Sequence, residues 1–399
     1  MIPIRFPALF AALAILLSAC QSSVPLGPDG LPVGAGTGGP ANGVTLPGVT
    51  GEVIGRGPVR VALLLPLSGD PALSQVGLSM ANAARLAMSY IESNPSIPDN
   101  ISIVLKDTGA TTAGAAQAAS QAVAEGASLI LGPLRADQVG AAASAARPAG
   151  LTIIGFSNNS GAAQPGVFLL NVLPEVEVRR SLRYAQEKGR RSFAAILPTT
   201  DYGKIQDAAF RQAIADLGLA SRAVFTFSSE AEARTAISQL VPLLQQGQVD
   251  ALFMPDRATA PSLGVLLQEA GIQPGTVQII GSADWNADAT IAATPNLAGA
   301  IYPAVDDSGY LALKTEYEAR FGSTPHALAT IAYTATVLAN ASSLALGTPR
   351  YDRAQLTIPA GFNGRDGVFR FLPDGRSEYA LVVKQITANG AQVVDGPKL

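Results

Sequence analysis

Short apolar runs alternate along the chain with longer segments whose apolar residues recur at helical spacing, and this alternation restricts the fold. The first predicted strands cover residues 59–65, 101–105, 128–131 and 151–155. The predicted helices between them cover residues 76–91, 113–124 and 136–147. Short apolar strands that alternate with helices are joined in parallel and are buried on both faces of a sheet. The pattern therefore predicts an α/β fold.

The same pattern restarts after a junction near residues 170–174. The second set of predicted strands covers residues 192–197, 222–227, 251–254 and 277–281. The helices between them are predicted at residues 203–217, 233–244 and 263–270. About 340 residues exceed one average domain, so two similar α/β units in series predict two lobes.

The last hundred residues follow a different pattern. An amphipathic helix is predicted over residues 310–321, and a long alanine-rich helix over residues 327–346. Residues 367–371 and 379–386 then flank the turn Pro373-Asp374-Gly375, which predicts a β-hairpin. A final hairpin on a parallel sheet is expected to add an edge.

Cys20 is the only cysteine of the 399-residue chain, and the segment before it is typical of an export signal. One positive charge, Arg5, precedes an uncharged run from Phe6 to Leu17, which is too short to span a membrane. The sequence Leu17-Ser18-Ala19-Cys20 resembles a bacterial lipobox. This resemblance implies a signal peptide over residues 1–19, acylation of Cys20 and a lipid anchor. A plain secretory signal with a chance cysteine is the alternative.

The segment after the cysteine is predicted to be a tether. Residues 21–58 contain 11 glycines and 6 prolines, and their only charges are Asp29, Glu52 and Arg56. Such a composition buries too little apolar surface to offset the entropy lost on ordering. Residues 20–58 are therefore assigned to a lipidated cysteine and a disordered tether.

The charged residues and the single histidine argue against several functions. The chain has 27 basic and 30 acidic residues without a basic block, which argues against nucleic-acid binding. His326 follows Pro325 at a predicted helix start, and there is no second histidine to build a metal site or a Ser/His arrangement. No GxSxG or P-loop sequence is present. We expect no enzymatic activity, no metal and no cofactor.

Five segments in chain order resemble the type I periplasmic binding proteins of the leucine/isoleucine/valine-binding class. They are VRVALLLPLSG (59–69), LKDTGATTAGAAQAASQAVAEGASLILGPL (105–134), TIIGFSNNS (152–160), AAILPTTDYGK (194–204) and FNGRDGVFRFLPDG (362–375). The resemblance implies two Rossmann-like parallel-sheet lobes, three crossovers between them and a C-terminal β-hairpin. It assigns residues 59–171 plus 302–348 to lobe I and residues 172–301 plus 349–399 to lobe II.

The fold implied by this resemblance places a ligand cleft between the lobes, at the carboxyl ends of the strands. The candidate cleft residues are Ser68, Arg135, Ser157, Asn158, Asn159, Tyr202, Asp256, Arg257, Asp284 and Trp285. Tyr202 matches the family's second-lobe tyrosine, and Asp284 lies about one position from its ammonium-binding acid. The family's serine pair is replaced by Arg135-Ala136-Asp137, so branched-chain amino acid binding is not expected. The turn-forming, capping and packing roles of these residue types remain open alternatives.

A subgroup of alphaproteobacterial lipoproteins, the penicillin-binding protein activators, shares the LILGPL, FSN, DYG and GVFRFLPDG segments together with a lipobox and tether. This closer resemblance implies a non-enzymatic periplasmic lipoprotein whose partner is a peptidoglycan synthase. Gln21, directly after the cysteine, favours anchoring in the outer membrane. The alternative is an ABC-transporter receptor that binds an amino acid or another small polar ligand and has a permease as partner.

Overall fold

The apolar runs form two separate sheets in the structure, a computed structural model that describes residues 48–399. The first sheet has the strand order β1-β3-β2-β4-β5-β6, and all its pairs are parallel except β1 with β3. Its strands are β1 (Glu52–Ile54), β2 (Val59–Leu65), β3 (Ile101–Asp107), β4 (Leu129–Leu131), β5 (Thr152–Gly155) and β6 (Val167–Leu169).

Three helices cover the first sheet, and small residues let them pack closely. They are α1 (Pro71–Ser93), α2 (Thr112–Ala124) and α3 (Ala136–Ala146). Asp70 caps α1 by accepting a hydrogen bond from the backbone N–H of Leu73. The buried face of α2 consists of alanines, which lose no side-chain entropy and allow α2 and α3 to approach each other.

The second sheet repeats this construction after a crossover. Its parallel strands are β7 (Ser192–Pro198), β8 (Ala220–Phe227), β9 (Ala251–Phe253), β10 (Gln278–Ile280) and β11 (Ile301–Ala304). Its helices are α4 (Pro174–Glu187), α5 (Asp201–Asp216), α6 (Glu230–Gln245), α7 (Ala260–Glu269) and α8 (Ala289–Ala293). Pro174 starts α4, a position where a missing N–H costs nothing.

The C-terminal segment is divided between the two lobes. Its helices are α9 (Asp307–Phe321), α10 (Ala329–Asn340), α11 (Ser342–Ala345) and α12 (Arg353–Leu356). Its strands are β12 (Phe362–Gly364), β13 (Gly367–Phe371), β14 (Ser377–Tyr379), β15 (Leu381–Thr387) and β16 (Gly390–Lys398). Strands β12–β14 form a small antiparallel sheet, whereas β15 and β16 complete the second sheet in the order β16-β15-β11-β10-β9-β7-β8.

The chain passes between the lobes three times. It crosses between β6 and β7, between β11 and α9, and at Ala380 between β14 and β15. These observations confirm the predicted fold class of two parallel-sheet lobes with a C-terminal hairpin.

The chain enters each lobe at residues that differ from the sequence-based boundaries. Phe369, Phe371 and Tyr379 pack in the hydrophobic cluster of the first sheet. The sequence assigned residues 349–399 to lobe II as one block. Residues 349–379 of this block contribute to lobe I instead. Strand β11, which includes residues assigned to lobe I, pairs within the second sheet.

Three local expectations differ from the structure. The predicted tether extends to residue 58, but Glu52–Ile54 forms β1 because Val53 is buried and Glu52 pairs with Arg85. The long helix predicted over residues 327–346 is broken at Ala341, whose backbone is non-helical. The hairpin strand predicted over residues 379–386 pairs as two pieces, since Tyr379 ends β14 before the third crossover.

Residues 1–47, with Cys20 and most of the predicted tether, lie outside the described residues. Within residues 48–399, no helix has the length and hydropathy needed to cross a bilayer. The same part of the chain contains no group of three or more His, Cys, Asp or Glu side chains placed to hold a metal ion.

Candidate functional site

The sheet topology places a crevice at the carboxyl ends of the strands in each lobe. In both sheets the strand order reverses beside the first strand, between β2 and β4 and between β7 and β9. Ligands of open α/β sheets bind at such switch points. Ser68, Arg135 and Asp256 lie in the loops that follow these strands, and Tyr202 lies in the first turn of α5, directly after β7.

The second lobe holds Tyr202 in a chain of hydrogen bonds. The Gln206 amide nitrogen donates to the Tyr202 hydroxyl at 3.1 Å, and this hydroxyl donates to Ser282 Oγ at 2.9 Å. Ser282 in turn donates to the Pro255 carbonyl at 2.8 Å. Burial and the nearby Asp284 raise the pKa of Tyr202 above its usual range, so the hydroxyl stays protonated. The chain fixes the start of α5 against the ends of β9 and β10.

Glu177, on the first turns of α4, lies against the loop that contains Asp284. The backbone N–H of Ala283 donates to Glu177 Oε2 at 3.3 Å. Burial, then the negative charges of Asp284 and Glu175, raise the pKa of Glu177 to about 8. Among residues 48–399, neither Glu177 nor Asp284 forms an ion pair. This part of the cleft therefore has excess negative charge.

The sequence-based search missed Glu177. Acidic residues in a first helical turn are common because they complement the helix dipole, and Glu175 and Glu177 follow that pattern. Only the crossover that carries α4 to the end of β10 reveals that Glu177 faces Asp284. The one signal in the sequence was the position of this carboxylate, a few residues after the junction predicted near residues 170–174.

Three predicted residues of the second lobe have structural roles. Asp256 accepts hydrogen bonds from the backbone N–H and hydroxyl of Thr259 and so orders the turn that leads into α7. Trp285 is only 1% exposed, and its indole N–H donates to the Pro255 carbonyl at 3.0 Å. Arg257 lies 3.5 Å from Asp288 in an ion pair at the surface. The structure thus places Tyr202 and Asp284 together and directs these three side chains elsewhere.

Ser68 bonds to the end of a neighbouring strand, whereas Ser157 and Asn159 bond within their own loop. Ser68 donates its hydroxyl to Asp107. Ser157 Oγ accepts from the backbone N–H of Asn159, whose own side chain accepts from Gly161. Ser157 is buried, so it shapes its loop.

Arg135 and Asn158 are exposed, as are Ser68 and Asn159. Arg135 pairs with Asp137 at 3.2 Å at the surface, directly before α3, whose first turn has no side-chain cap. Asn158 lines a groove of about 650 Å³ whose other walls come mainly from α4 and α5. The other lining residues are Asn159, Ser160, Glu175, Arg179, Ile205, Ala208, Ala209, Gln212, Ala213, Asp216 and Arg376.

Comparisons with known proteins agree with this architecture. Residues 58–357 match the family described as periplasmic binding protein. A branched chain amino acid ABC transporter periplasmic ligand-binding protein from Burkholderia xenovorans is 17% identical, with a TM-score of 0.65, over 85% of this chain and 96% of that one. An ABC transporter substrate-binding protein from Desulfitobacterium hafniense in complex with Leu is 17% identical, with a TM-score of 0.60, over 84% and 99% of the two chains.

A leucine binding protein from Thermotoga maritima gives a similar result. It is 18% identical, with a TM-score of 0.55, and the match covers 85% of this chain and 99% of that one. At these identities the structural likeness shows the fold alone. No curated protein matches the chain in sequence.

Proposed function

Because the chain belongs to the periplasmic binding protein family, we propose that it is a non-enzymatic receptor that binds a small polar ligand with an ammonium group. The ligand would bind between the lobes and be delivered to a membrane transporter. The observation that carries this proposal is Asp284, a carboxylate beside Tyr202 and Glu177 that forms no ion pair within residues 48–399. Asp284 is exposed in this crevice, so its carboxylate is accessible to the ammonium group of a ligand and can form a charge-assisted hydrogen bond with it.

The first lobe offers groups for the opposite end of the ligand. Arg135 has a positive charge at the uncapped start of α3, where backbone N–H groups and the helix dipole favour an anion. A zwitterion with its ammonium at Asp284 and its carboxylate at α3 would contact both lobes. Such a ligand would favour the closed arrangement, since it binds more groups there.

The periplasm is the location that membership of this family implies. Within the proposal, Cys20 anchors the protein to a membrane through its acyl chains, and Gln21 favours the outer membrane. Replacement of Cys20 by serine should release the protein into the soluble periplasmic fraction, as cell fractionation would show.

Ligand binding can be tested by thermal unfolding with a panel of amino acids, amides and short peptides. At least one compound with an ammonium group should raise the melting temperature of the wild-type protein. The same compound should have little effect on the Asp284→Asn variant, which keeps the shape of the side chain and removes its charge. If no compound in the panel shifts the wild-type melting temperature, the receptor proposal is wrong.

The activator function is the second candidate, and the hydrogen bonds within the cleft favour it. Ser68, Ser157, Asn159 and Tyr202 are satisfied by partners in the protein, as expected of a lobe pair that acts as a protein-binding body. Capture of purified peptidoglycan synthases on the immobilised protein would test it. Binding that is unaffected by Asp284→Asn would support the activator function, and absence of binding to every envelope synthase would exclude it.

A further inference from the structure

The second-lobe side of the cleft presents more hydrogen-bond acceptors than a single ammonium group can satisfy. Asp284 lies in the loop after β10, and the carboxyl group of Glu177 on α4 lies close to it. Gln206 is 1% exposed, and its Oε1 has no hydrogen-bond partner in the described part of the chain. Its amide nitrogen is already used by the Tyr202 hydroxyl, which itself adjoins Asp284. A buried acceptor without a donor costs free energy, so this region lacks donors.

The charges around Glu177 are all negative or neutral. Asp284 faces it from the loop after β10, Tyr202 from α5, and Glu175 from its own helix. The nearby Arg179 is engaged by Glu378 on the other side of α4, at 2.7 Å. In its charged form, Glu177 therefore has no counter-charge within residues 48–399, and in the ligand-free protein a bound proton neutralises it.

We propose that the ligand carries a second positively charged donor group, as arginine, lysine or a diamine does, and that Glu177 binds this second group. The inference rests on the proposed receptor function and specifies its substrate class. Asp284 pairs with one cationic group and Glu177 with the other, while additional N–H donors are available for Gln206. Neutral branched-chain and amide ligands supply one ammonium only, so they leave Glu177 without a partner.

The position of Glu177 also gives this contact a mechanical consequence. Helix α4 directly follows the first crossover, and its Val176 packs in the cluster of the first sheet while Val178 packs in the second lobe. A ligand group held by Glu177 is therefore attached to the segment about which the lobes move. The raised pKa of Glu177 agrees with this role, since a bound cation would favour the charged carboxylate and release a proton.

Isothermal titration calorimetry on the full chain in detergent tests the inference with L-arginine, L-lysine, L-leucine and L-glutamine. Arginine or lysine should bind at least about tenfold more tightly than leucine and glutamine, the difference expected for one charge-assisted hydrogen bond. Glu177→Gln should remove this preference and leave the weaker affinity for glutamine unchanged. Arginine binding should strengthen as pH rises from about 6 to 8 and should release protons to the buffer.

Glu175→Gln is the matched control, because it removes the same charge two residues away, where the side chain lines the groove beside the cleft. It should change arginine affinity by less than about threefold. Melting curves of both variants establish that they are folded. Leucine or glutamine binding as tight as arginine binding would overturn the inference and leave the receptor function standing. Equal losses in the two variants would also overturn it. Absence of binding by all four ligands would overturn the inference, and absence of a shift across the whole thermal-unfolding panel would overturn the receptor function as well.

Discussion

Lys106 and Glu125 form an ion pair that is almost entirely buried at the edge of the first sheet. Their side chains are 2% and 9% exposed, and Lys106 also donates to the Thr50 carbonyl at 2.9 Å. Lys106→Met would leave Glu125 without its counter-charge, and we expect a loss of about 3–5 kcal/mol in the free energy of unfolding. Urea unfolding of the wild type and of Lys106→Met measures this loss. Lys204→Met, which removes an exposed pair with Asp201, should cost less than about 1 kcal/mol, and a similar cost for both variants would contradict the prediction.

Glu177 should make the stability of the ligand-free protein depend on pH. Its carboxyl has a pKa raised from 4.5 to about 8 by burial, Asp284 and Glu175, so the folded state holds this proton more tightly than the unfolded state. The resulting stabilisation is complete below about pH 4.5 and is lost as pH rises through about 8. We expect the free energy of unfolding to fall over this interval by a few kcal/mol relative to Glu177→Gln.

Urea unfolding of both proteins at several pH values, from about 5 to about 8.5, measures this difference. The wild type and Glu177→Gln should be most alike at the acidic end, where the carboxyl is protonated. Curves that stay parallel across the whole range would show that Glu177 titrates normally.

At the residue scale, the sequence identified side-chain chemistry better than side-chain contacts. Tyr202 and Asp284 lie together because both follow strands of one sheet. Trp285, Asp256 and Asn159 also follow strands, but packing and capping use their polar groups. Whether such a residue faces the cleft or serves packing and capping depends on partners that are distant in sequence, as Pro255 is from Trp285. A single sequence does not reveal these partners.

Strand β1 is the element that most clearly departs from the predicted tether, and it should contribute to stability. Val53 is 6% exposed, Glu52 pairs with Arg85, and Thr50 bonds to Glu125. A chain that starts at residue 57 should be about 3 kcal/mol less stable than one that starts at residue 48, because it loses a buried valine and several hydrogen bonds. Urea unfolding of the two chains tests this. Equal unfolding midpoints would show that β1 does not contribute to stability.

The predictability of each element followed the strength of its local signal. Long apolar runs such as Val59–Leu65 and alanine-rich helices such as α2 were placed within a few residues. Strands β1 and β6 were not predicted, because each has only three residues and the neighbouring glycines or proline are typical of loops. The break lies at Ala341, a good helix former, and tertiary contacts of its neighbour produce it: Asn340 donates to the Pro98 carbonyl and accepts from the backbone N–H of Asn100.

At the scale of the whole molecule, ion pairs link the lobes at their crossovers. Lys384 of the second sheet pairs with Asp307 at the start of α9, a helix that packs on the first lobe, and donates to Asn286 at 2.8 Å. Arg179 of α4 pairs with Glu378 of β14 near the third crossover. Movement of the lobes must occur around these contacts, so we expect rotation about the crossover segments rather than separation of the lobes.

Binding of a cationic ligand should close the two lobes, because the proposed contacts to Asp284 and Glu177 lie on one side of the cleft and those to Arg135 on the other. Small-angle X-ray scattering should show a smaller radius of gyration with L-arginine than without it. At a ligand concentration one hundred times the dissociation constant, the free energy of unfolding should rise by about 2.7 kcal/mol. Asp284→Asn should show neither change at the same arginine concentration. Tight binding by the wild type at an unchanged radius of gyration would mean that the ligand contacts one lobe only, and the contact to Arg135 would then have to be abandoned.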